Sequence, residues 1–554
     1  MESRPWHRHY DYDVPTTIRY PRVPAHNAIH LSAAYFPKKA AVNFYGTELT
    51  FVELREQMLQ FANALGALGV KKSDRVGIAL PNCPQYIIAY LAALALGGIV
   101  VNMNPLYTHD ELKFMMQNTG LETLITFDGA LPTMRPLAKE LGLKRVIVTR
   151  LTDYMKEFDV STAGSLGLED GWHHFSTLLM SSSNKSIPRV AIAPEDPAMI
   201  QFTGGTTGLP KGAVLTHANV VAAVYAASLW GSKTSTLISP QDSTVLGVIP
   251  YFHIYGNIVA MNCSLFSGAT QILLHRFDLE EVLSTIAKFD QISFFPAVPT
   301  MITAIVNHPK VHEMKLNCRI RYFNSGGAPM PAELIARVRD MGIFFGEGYG
   351  MSESTALGIS NPVIGLSKTG SVGIPYIDTD VRLVDLETGT RDVAPGEPGE
   401  IIMKSPFVMK EYWNNPAETA NQIRDGWLFT GDIGQADPDG YIYIVDRKKD
   451  MIIAGGFNIY PREVDEVLYQ HPKIAEAVTV GIPDAYRGET VKIYVVLKPD
   501  EICDEKEIID FCRARLAPYK VPRKVEFRDA LPKSAVGKLL RKILRDEEMK
   551  KKDK

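Results

Sequence analysis

Phe202 to Gly212 reads FTGGTTGLPKG, a stretch rich in glycine and threonine that closes on a single lysine. A strand-like run, AMIQF, leads into Thr203, Gly204, Gly205, Thr206, Thr207 and Gly208. Glycines at such a turn let backbone N–H groups wrap an anion. The threonine hydroxyls add donors and Lys211 a positive charge, which makes a triphosphate cradle by composition. A P-loop would need GxxxxGK[ST] running directly into a helix. Here Pro210 precedes the lysine, and GAVLTH follows as an extended run before a helix that Thr216 can cap.

Four further stretches carry related chemistry. YFNSGGAPM, Tyr322 to Met330, sets small residues where a flat ring can lie against backbone. GEGYGMSES, Gly346 to Ser354, offers Tyr349 for stacking and Glu353 for Mg²⁺, which takes one or two carboxylates together with phosphate oxygens. DGWLFTGDIG places Asp432 after a glycine, where a carboxylate can accept both hydroxyls of a ribose. LPKSAVGKLLRK puts Lys538 on a glycine-hinged loop just ahead of a basic helix. Singly each is ordinary, since Gly-Gly is most often a turn and an isolated Glu a solvated charge. Together they point to a nucleotide.

In this order the set resembles the adenylate-forming superfamily of acyl-CoA synthetases, luciferases and peptide-synthetase adenylation domains, over about residues 25 to 545. TGGTTG and DRKKDMIIAGGFNIYPREVDEVLYQHP are most similar to bacterial and archaeal long-chain fatty acid–CoA ligases. The resemblance implies that Thr203, Gly204, Gly205, Thr206, Thr207, Gly208 and Lys211 form the phosphate loop. It implies an adenine site at Gly326, Gly327, Ala328, Tyr349, Gly350, Met351 and Ser352, and Mg²⁺ on Glu353 and Thr207. Asp432 and Arg447 match ribose and phosphate contacts, Lys449 the inter-domain hinge, and Lys538 the lysine of adenylation. His253, Tyr255 and Gly256 match the acyl pocket, with an ordinary core histidine as the plain alternative for His253; Gly455 and Gly456 match the coenzyme A passage. Ser352 stands where many relatives have threonine, which keeps the hydroxyl. Gly205 replaces a common serine, as in the long-chain ligases.

The reaction implied is carboxylate plus ATP giving acyl-adenylate and pyrophosphate, then thiol attack giving acyl-CoA and AMP, with ATP, Mg²⁺ and coenzyme A required. Lys538, Glu353, Thr207 and Lys211 are the expected catalytic groups, because two anions must be brought together. A fatty acid of medium to long chain is the leading substrate. An aryl or shorter-chain acid, a fatty acyl-AMP ligase and a nucleotide-binding regulatory module are the alternatives.

Holding such dispersed residues requires a large scaffold. The chain has 554 residues, 46% hydrophobic and 22% charged, with a formal net charge of -3, so nothing marks a nucleic-acid partner. Runs such as RVGIAL, LETLITF, KRVIVTR, STVLGVIPY and ATQILL alternate with helical patterns, which predicts a multi-layered α/β N-terminal domain over 1–448. Turn-rich short strands predict a β-rich subdomain over about 375–448, and a mobile α+β domain follows over 449–554. Pro461 suits a first helical turn and Asp504 a cap. RDEEMKKKDK reads as a frayed, solvated tail.

The longest apolar run, Tyr86 to Val101, is short of the ~20 residues that span a bilayer and is split by Gly97-Gly98, so it reads as a buried helix feeding a strand. The N-terminal residues lack the apolar core of a secretory signal. The five scattered cysteines show no CxxC pair and no histidine at metal-ligand spacing. A cytoplasmic enzyme is expected, with peripheral membrane association and a homodimer both compatible.

Overall fold

The computed structural model describes residues 4–155, 166–203, 210–231, 239–311, 313–484, 486–534 and 538–552. Two large, mostly parallel sheets make up most of the N-terminal part. The eight-stranded sheet runs in the order Glu411–Tyr412, Lys211–Thr216, Pro197–Thr203, Ile99–Asn102, Arg75–Ala79, Thr123–Phe127, Arg145–Thr149 and Trp172–His174. The nine-stranded sheet runs Ile374–Pro375, Ile359–Ser360, Phe344–Tyr349, Ile320–Ser325, Ile292–Ala297, Thr244–Gly247, Thr270–Leu273, Ala40–Phe44 and Thr47–Thr50.

Parallel sheets need cover on both faces. The helix Pro84–Ala95 is buried along its whole length and packs with the helix Phe51–Ala67. Both enter one apolar core with side chains from the two sheets, among them Val42, Phe44, Val76 and Ile78. The apolar run is therefore the centre of a layered core. Gly97, at φ +69°, takes the left-handed turn that ends this helix, and the next strand begins at Ile99. No helix among the described residues is long and apolar enough to cross a membrane.

A smaller antiparallel sheet combines Asp380–Val384, Gly399–Lys404, Trp427–Ala436, Ile423–Arg424 and Ile442–Arg447. A fourth sheet, of Ile452–Ala454, Phe457–Ile459, Ile474–Asp484, Gly488–Leu497 and Lys524–Phe527, carries the helices Pro461–Tyr469, Glu505–Arg513 and Arg541–Lys552. The architecture is a large layered α/β part with a small β-rich sheet, joined to a smaller α+β part. Local signals act as read: Thr216 and Asn219 form a capping box, Pro461 opens its helix, and Asp504 accepts from the Glu507 N–H.

The expected frayed tail is instead the helix Arg541–Lys552. Leu544 is fully buried, and Glu548 accepts from Lys492 and from the Tyr494 hydroxyl, both at 2.9 Å. Arg528 holds Glu547 at 2.7 Å. The charges that look solvated in sequence meet complementary charges on the small sheet, and one leucine anchors them.

Candidate active site

Ligands of parallel α/β sheets lie beyond the carboxyl ends of the strands, and the sequence motifs collect there. The strand Pro197–Thr203 turns back antiparallel into Lys211–Thr216, with Thr203 opposite Lys211. Gly204, Gly205, Thr206, Thr207 and Gly208 lie outside the described residues. Ile320–Ser325 and Phe344–Tyr349 are parallel neighbours, Ser325 opposite Glu347, so the Gly326-Gly327-Ala328 and Gly350-Met351-Ser352 turns emerge side by side.

These turns are sterically tight. A Cβ on Gly350 would lie 2.0 Å from the Ala356 carbonyl oxygen. The Met351 N–H donates to Ser354 Oγ at 3.1 Å, and Thr355 and Ala356 follow at φ +49° and +70°. This is left-handed backbone stored at a loop. The Thr355 hydroxyl, bonded to the Phe407 carbonyl at 2.6 Å, holds it in place.

The short turn Ser352–Ser354 presents Glu353, which is buried and accepts from the Tyr412 hydroxyl at 2.6 Å. Burial raises its pKa, against the opposing pull of that hydrogen bond. Tyr412 reaches it because Glu411–Tyr412 adds to the edge of Lys211–Thr216, with Tyr412 opposite Ala213. The Lys211 ammonium lies 5.4 Å over the Tyr412 ring and pairs with Glu418. Glu418 belongs to the helix Pro416–Gln422, which Asn415 caps. Tyr412 and Glu418 were not among the sequence candidates. The cap signature Asn415-Pro416 predicts their helix, but nothing local shows which strand edge it approaches.

Asp432 and Arg447 are cross-strand partners in the small antiparallel sheet, and Arg447 Nε lies 3.2 Å from Asp432 Oδ1. The Tyr349 hydroxyl donates to Asp432 Oδ2 at 2.6 Å. A carboxylate, a guanidinium and a phenol from three separate motifs thus share one contact. Lys538 joins them from the small α+β part. The Arg447 guanidinium, and then burial, pull its ammonium down to about 7. Lys538 and Ser534 are tied by paired bonds, Lys538 N–H to Ser534 Oγ at 3.1 Å and Ser534 N–H to Lys538 O at 2.8 Å.

Burial, then the charge of Lys538, pull His253 down to about 4, so its ring is neutral. The Tyr255 N–H donates to His253 Nδ1 at 3.3 Å, which places the ring proton on Nε2. Tyr255 donates to Asn324 Oδ1 at 2.6 Å and lies against Gly326, where a Cβ would meet its ring at 3.2 Å. Gly256 lets the chain pass close to Pro250, since a Cβ there would lie 2.3 Å from the Pro250 carbonyl oxygen. Tyr255 of the expected acyl pocket therefore packs close to Gly326 of the expected adenine turn.

Lys449 is exposed overall, but desolvation of its ammonium, reinforced by Arg447, lowers it to about 8. Gly455 and Gly456, at φ +60° and +84°, form an exposed turn tied to the Arg487 carbonyl at 2.8 Å. The cysteines gain a histidine neighbour that spacing did not suggest: ligand atoms of His471, Cys503 and Glu507 lie within 4.8 Å of one another. His471 Nδ1 accepts the Lys473 N–H at 3.3 Å, which leaves the proton on Nε2, and Lys473 Nζ already pairs Glu507 at 2.8 Å. That arrangement disfavours a metal.

A lysine from the small α+β part that meets a carboxylate, a guanidinium and a phenol carried by other segments is the arrangement expected of an adenylate-forming enzyme. Residues 29–413 match the AMP-binding enzyme family and residues 463–538 its C-terminal domain. The chain is 41% identical over 565 residues to a long-chain-fatty-acid–CoA ligase of Bacillus subtilis, covering 99% of both chains. It is 36% identical to a feruloyl-CoA synthase of an Amycolatopsis species, covering 91% of this chain and 95% of that one. The solved o-succinylbenzoate–CoA synthetase of Bacillus subtilis in complex with ATP and magnesium superposes with a TM-score of 0.78 at 28% identity, over 96% of this chain and 100% of that one. The chain belongs to the AMP-binding enzyme family and is an AMP-forming acid–CoA ligase; such ligases use ATP, Mg²⁺ and coenzyme A.

Proposed function

We propose that this ligase activates a medium- to long-chain fatty acid as acyl-AMP and then transfers the acyl group to coenzyme A. The full-length likeness to the Bacillus subtilis long-chain ligase supports the substrate class. The meeting of Lys538 with Arg447, Asp432 and His253 supports the assignment of the first step. The working division of the chain is 1–448 and 449–554, with the β-rich sheet inside the first and Lys449 as hinge.

In the first half-reaction a carboxylate oxygen forms a bond to the α-phosphorus and the bond to pyrophosphate breaks. Two anions must meet, so fixed positive charge is the main requirement. Lys538 lies nearest the bond-making atoms. Lys211, released from Glu418, and the threonines of the phosphate loop take the departing pyrophosphate. Asp432 accepts the ribose hydroxyls, oriented by Tyr349 and Arg447. Glu353 suits Mg²⁺: it is a buried carboxylate with one side-chain partner in Tyr412 and spare lone pairs, and Thr207 would join it. When bound, the ion supplies positive charge against the phosphate oxygens.

In the second half-reaction the thiol sulfur bonds to the acyl carbon and AMP leaves. A thiol with a free pKa of about 8.5 needs no dedicated base. A lysine seated at the reacting atoms in the first step would obstruct a long pantetheine arm entering in the second. The small domain therefore turns about Lys449 between steps, and Gly455 and Gly456 then give the arm close passage.

Lys538→Ala should abolish acid-dependent exchange between ATP and pyrophosphate yet still convert supplied acyl-adenylate to thioester. Equal loss of both half-reactions would sink this division of labour. The feruloyl-CoA synthase relative favours a second reading, an aryl acid substrate. A coenzyme-A-dependent assay across fatty acids of graded length and aryl acids decides between them.

A further inference from the structure

Asp446 and Arg447 are consecutive on the strand Ile442–Arg447, so their side chains leave opposite faces. Arg447 faces Asp432, within the nucleotide site. Asp446, nearly fully buried, faces the small domain: it accepts the Arg462 N–H at 2.7 Å, and its Oδ1 lies 3.4 Å from Arg541 Nη1. Arg541 is the first residue of the terminal helix, three residues beyond Lys538. Its other arm donates to Asp465 Oδ2 at 2.7 Å, and Asp450 Oδ2 lies 3.7 Å from Nη1. One turn further, Arg545 donates to the Lys449 carbonyl at 3.1 Å and to Asp450 at 3.3 Å. The carboxylates are 2%, 8% and 12% exposed at Asp446, Asp450 and Asp465. Buried charges of this kind contribute little net stability but define one geometry, because a charge left without its partner is costly.

These contacts differ in what happens to them when the hinge turns. Arg541 and Asp465 both follow Lys449 in the chain and move together. Asp446 precedes it and stays behind. The Arg541–Asp465 pair therefore persists in every domain orientation, whereas the Arg541–Asp446 contact exists only when the Lys538 loop is seated.

We propose that Arg541 is a positioning residue for adenylation: by reaching across the hinge to Asp446 it sets Lys538 in register with the Arg447–Asp432 pair, and it lets go when the small domain turns. This rests on the two-step reading given under Proposed function. Arg541 touches no reacting atom. It acts by fixing the start of the helix that ends the Lys538 loop.

The experiment compares Arg541→Gln, Arg541→Lys, Asp446→Asn and the Arg541→Gln/Asp446→Asn double variant in the full chain. Two rates are read: acid-dependent ATP–pyrophosphate exchange, and thioester formation from supplied acyl-adenylate and coenzyme A. Arg541→Gln and Asp446→Asn should each lower the kcat of exchange about ten- to a hundredfold, the scale for a catalytic group misplaced by about 1 Å. For Asp446→Asn, KM for ATP and the thioester rate should stay within about twofold; Arg541→Gln, which also gives up Asp465, should lose part of the thioester rate but less than it loses in exchange. The double variant should be no worse than Arg541→Gln alone, since the contact between Arg541 and Asp446 is already gone in that variant. Arg541→Lys should recover part of the loss by keeping the charge.

Asp465→Asn serves as the structural control, because its pair lies inside the small domain; it should affect both half-reactions alike. Equal loss of both rates in Asp446→Asn, unchanged exchange in either single variant, or additive losses in the double would overturn the proposal. If Arg541→Gln fails to fold, Asp446→Asn carries the same test from the large domain. Lys538→Ala run alongside keeps the two ideas apart: if it loses both half-reactions the underlying reading fails, and if it separates them while Asp446→Asn does not, only the role of Arg541 fails.

Discussion

The lowered ammonium of Lys538 should make ATP binding a proton-uptake reaction. Arg447 and burial hold it at about 7. Phosphates brought beside it should return it toward the ordinary lysine value of about 10.4. The unliganded lysine is then ~90% neutral at pH 8, so binding at that pH should take up about 0.9 proton at this site. From pH 7.5 to 9.5 the protonated fraction falls about 75-fold, which should weaken ATP binding by the same factor, or about 2.5 kcal/mol. The window excludes the phosphate's own titration near pH 6, and His253, at about 4, stays neutral throughout. Titration calorimetry in buffers of different ionisation enthalpy reads the proton directly. Lys449, at about 8, titrates in the same window, so the quantity that matters is the difference from Lys538→Ala. That variant should lose most of one proton of uptake and most of the pH slope. An unchanged slope in Lys538→Ala, or a flat profile in the parent chain, would refute the reasoning.

Tyr412→Phe removes a hydrogen bond that lowers the pKa of buried Glu353; the acid limb of the exchange profile should move to higher pH, and thermal unfolding should show a loss of about 1–3 kcal/mol. Gly350→Ala drives a Cβ to 2.0 Å from the Ala356 carbonyl oxygen; a stability loss of about 3 kcal/mol and weakened ATP binding by calorimetry are expected. Glu347 accepts the Met330 N–H at 3.2 Å, and burial raises it from 4.5 to about 7. The folded chain then binds more protons than the unfolded one between pH 4.5 and 7, so this group's contribution falls as pH rises through that window, by about 3 kcal/mol in all. Glu347→Gln should flatten that part of the stability profile and gain on the parent at pH 8, as read from urea midpoints at pH 5 and pH 8.

Much of this protein is written locally. The caps at Thr216 and Asp504, the proline at Pro461 and the break at Gly97 follow from short-range sterics and hydrogen bonding, so spacing alone predicts them. The residue types for a nucleotide site, Lys211, Tyr349, Glu353, Asp432 and Lys538, were legible for the same reason: each lies in a short stretch whose composition limits what it can bind. Their mutual contacts were not legible. Asp432 meets Arg447 through an antiparallel register, and Tyr412 reaches Glu353 only because a two-residue strand adds to the edge of Lys211–Thr216.

The terminal helix shows the same limit. RDEEMKKKDK has the composition of a solvated tail, and it docks because Lys492, Arg528 and a pocket for Leu544 wait on a sheet formed elsewhere in the chain. Sequence by itself determined which groups were available and which elements would carry them, because those depend on neighbours within a few residues. The pairing of distant segments fixed which charge faces which, setting Arg447 and Asp446 on opposite faces of one strand, toward Asp432 and toward Arg541. Strand register and sheet edges are set by pairings between distant segments, and no local pattern encodes them.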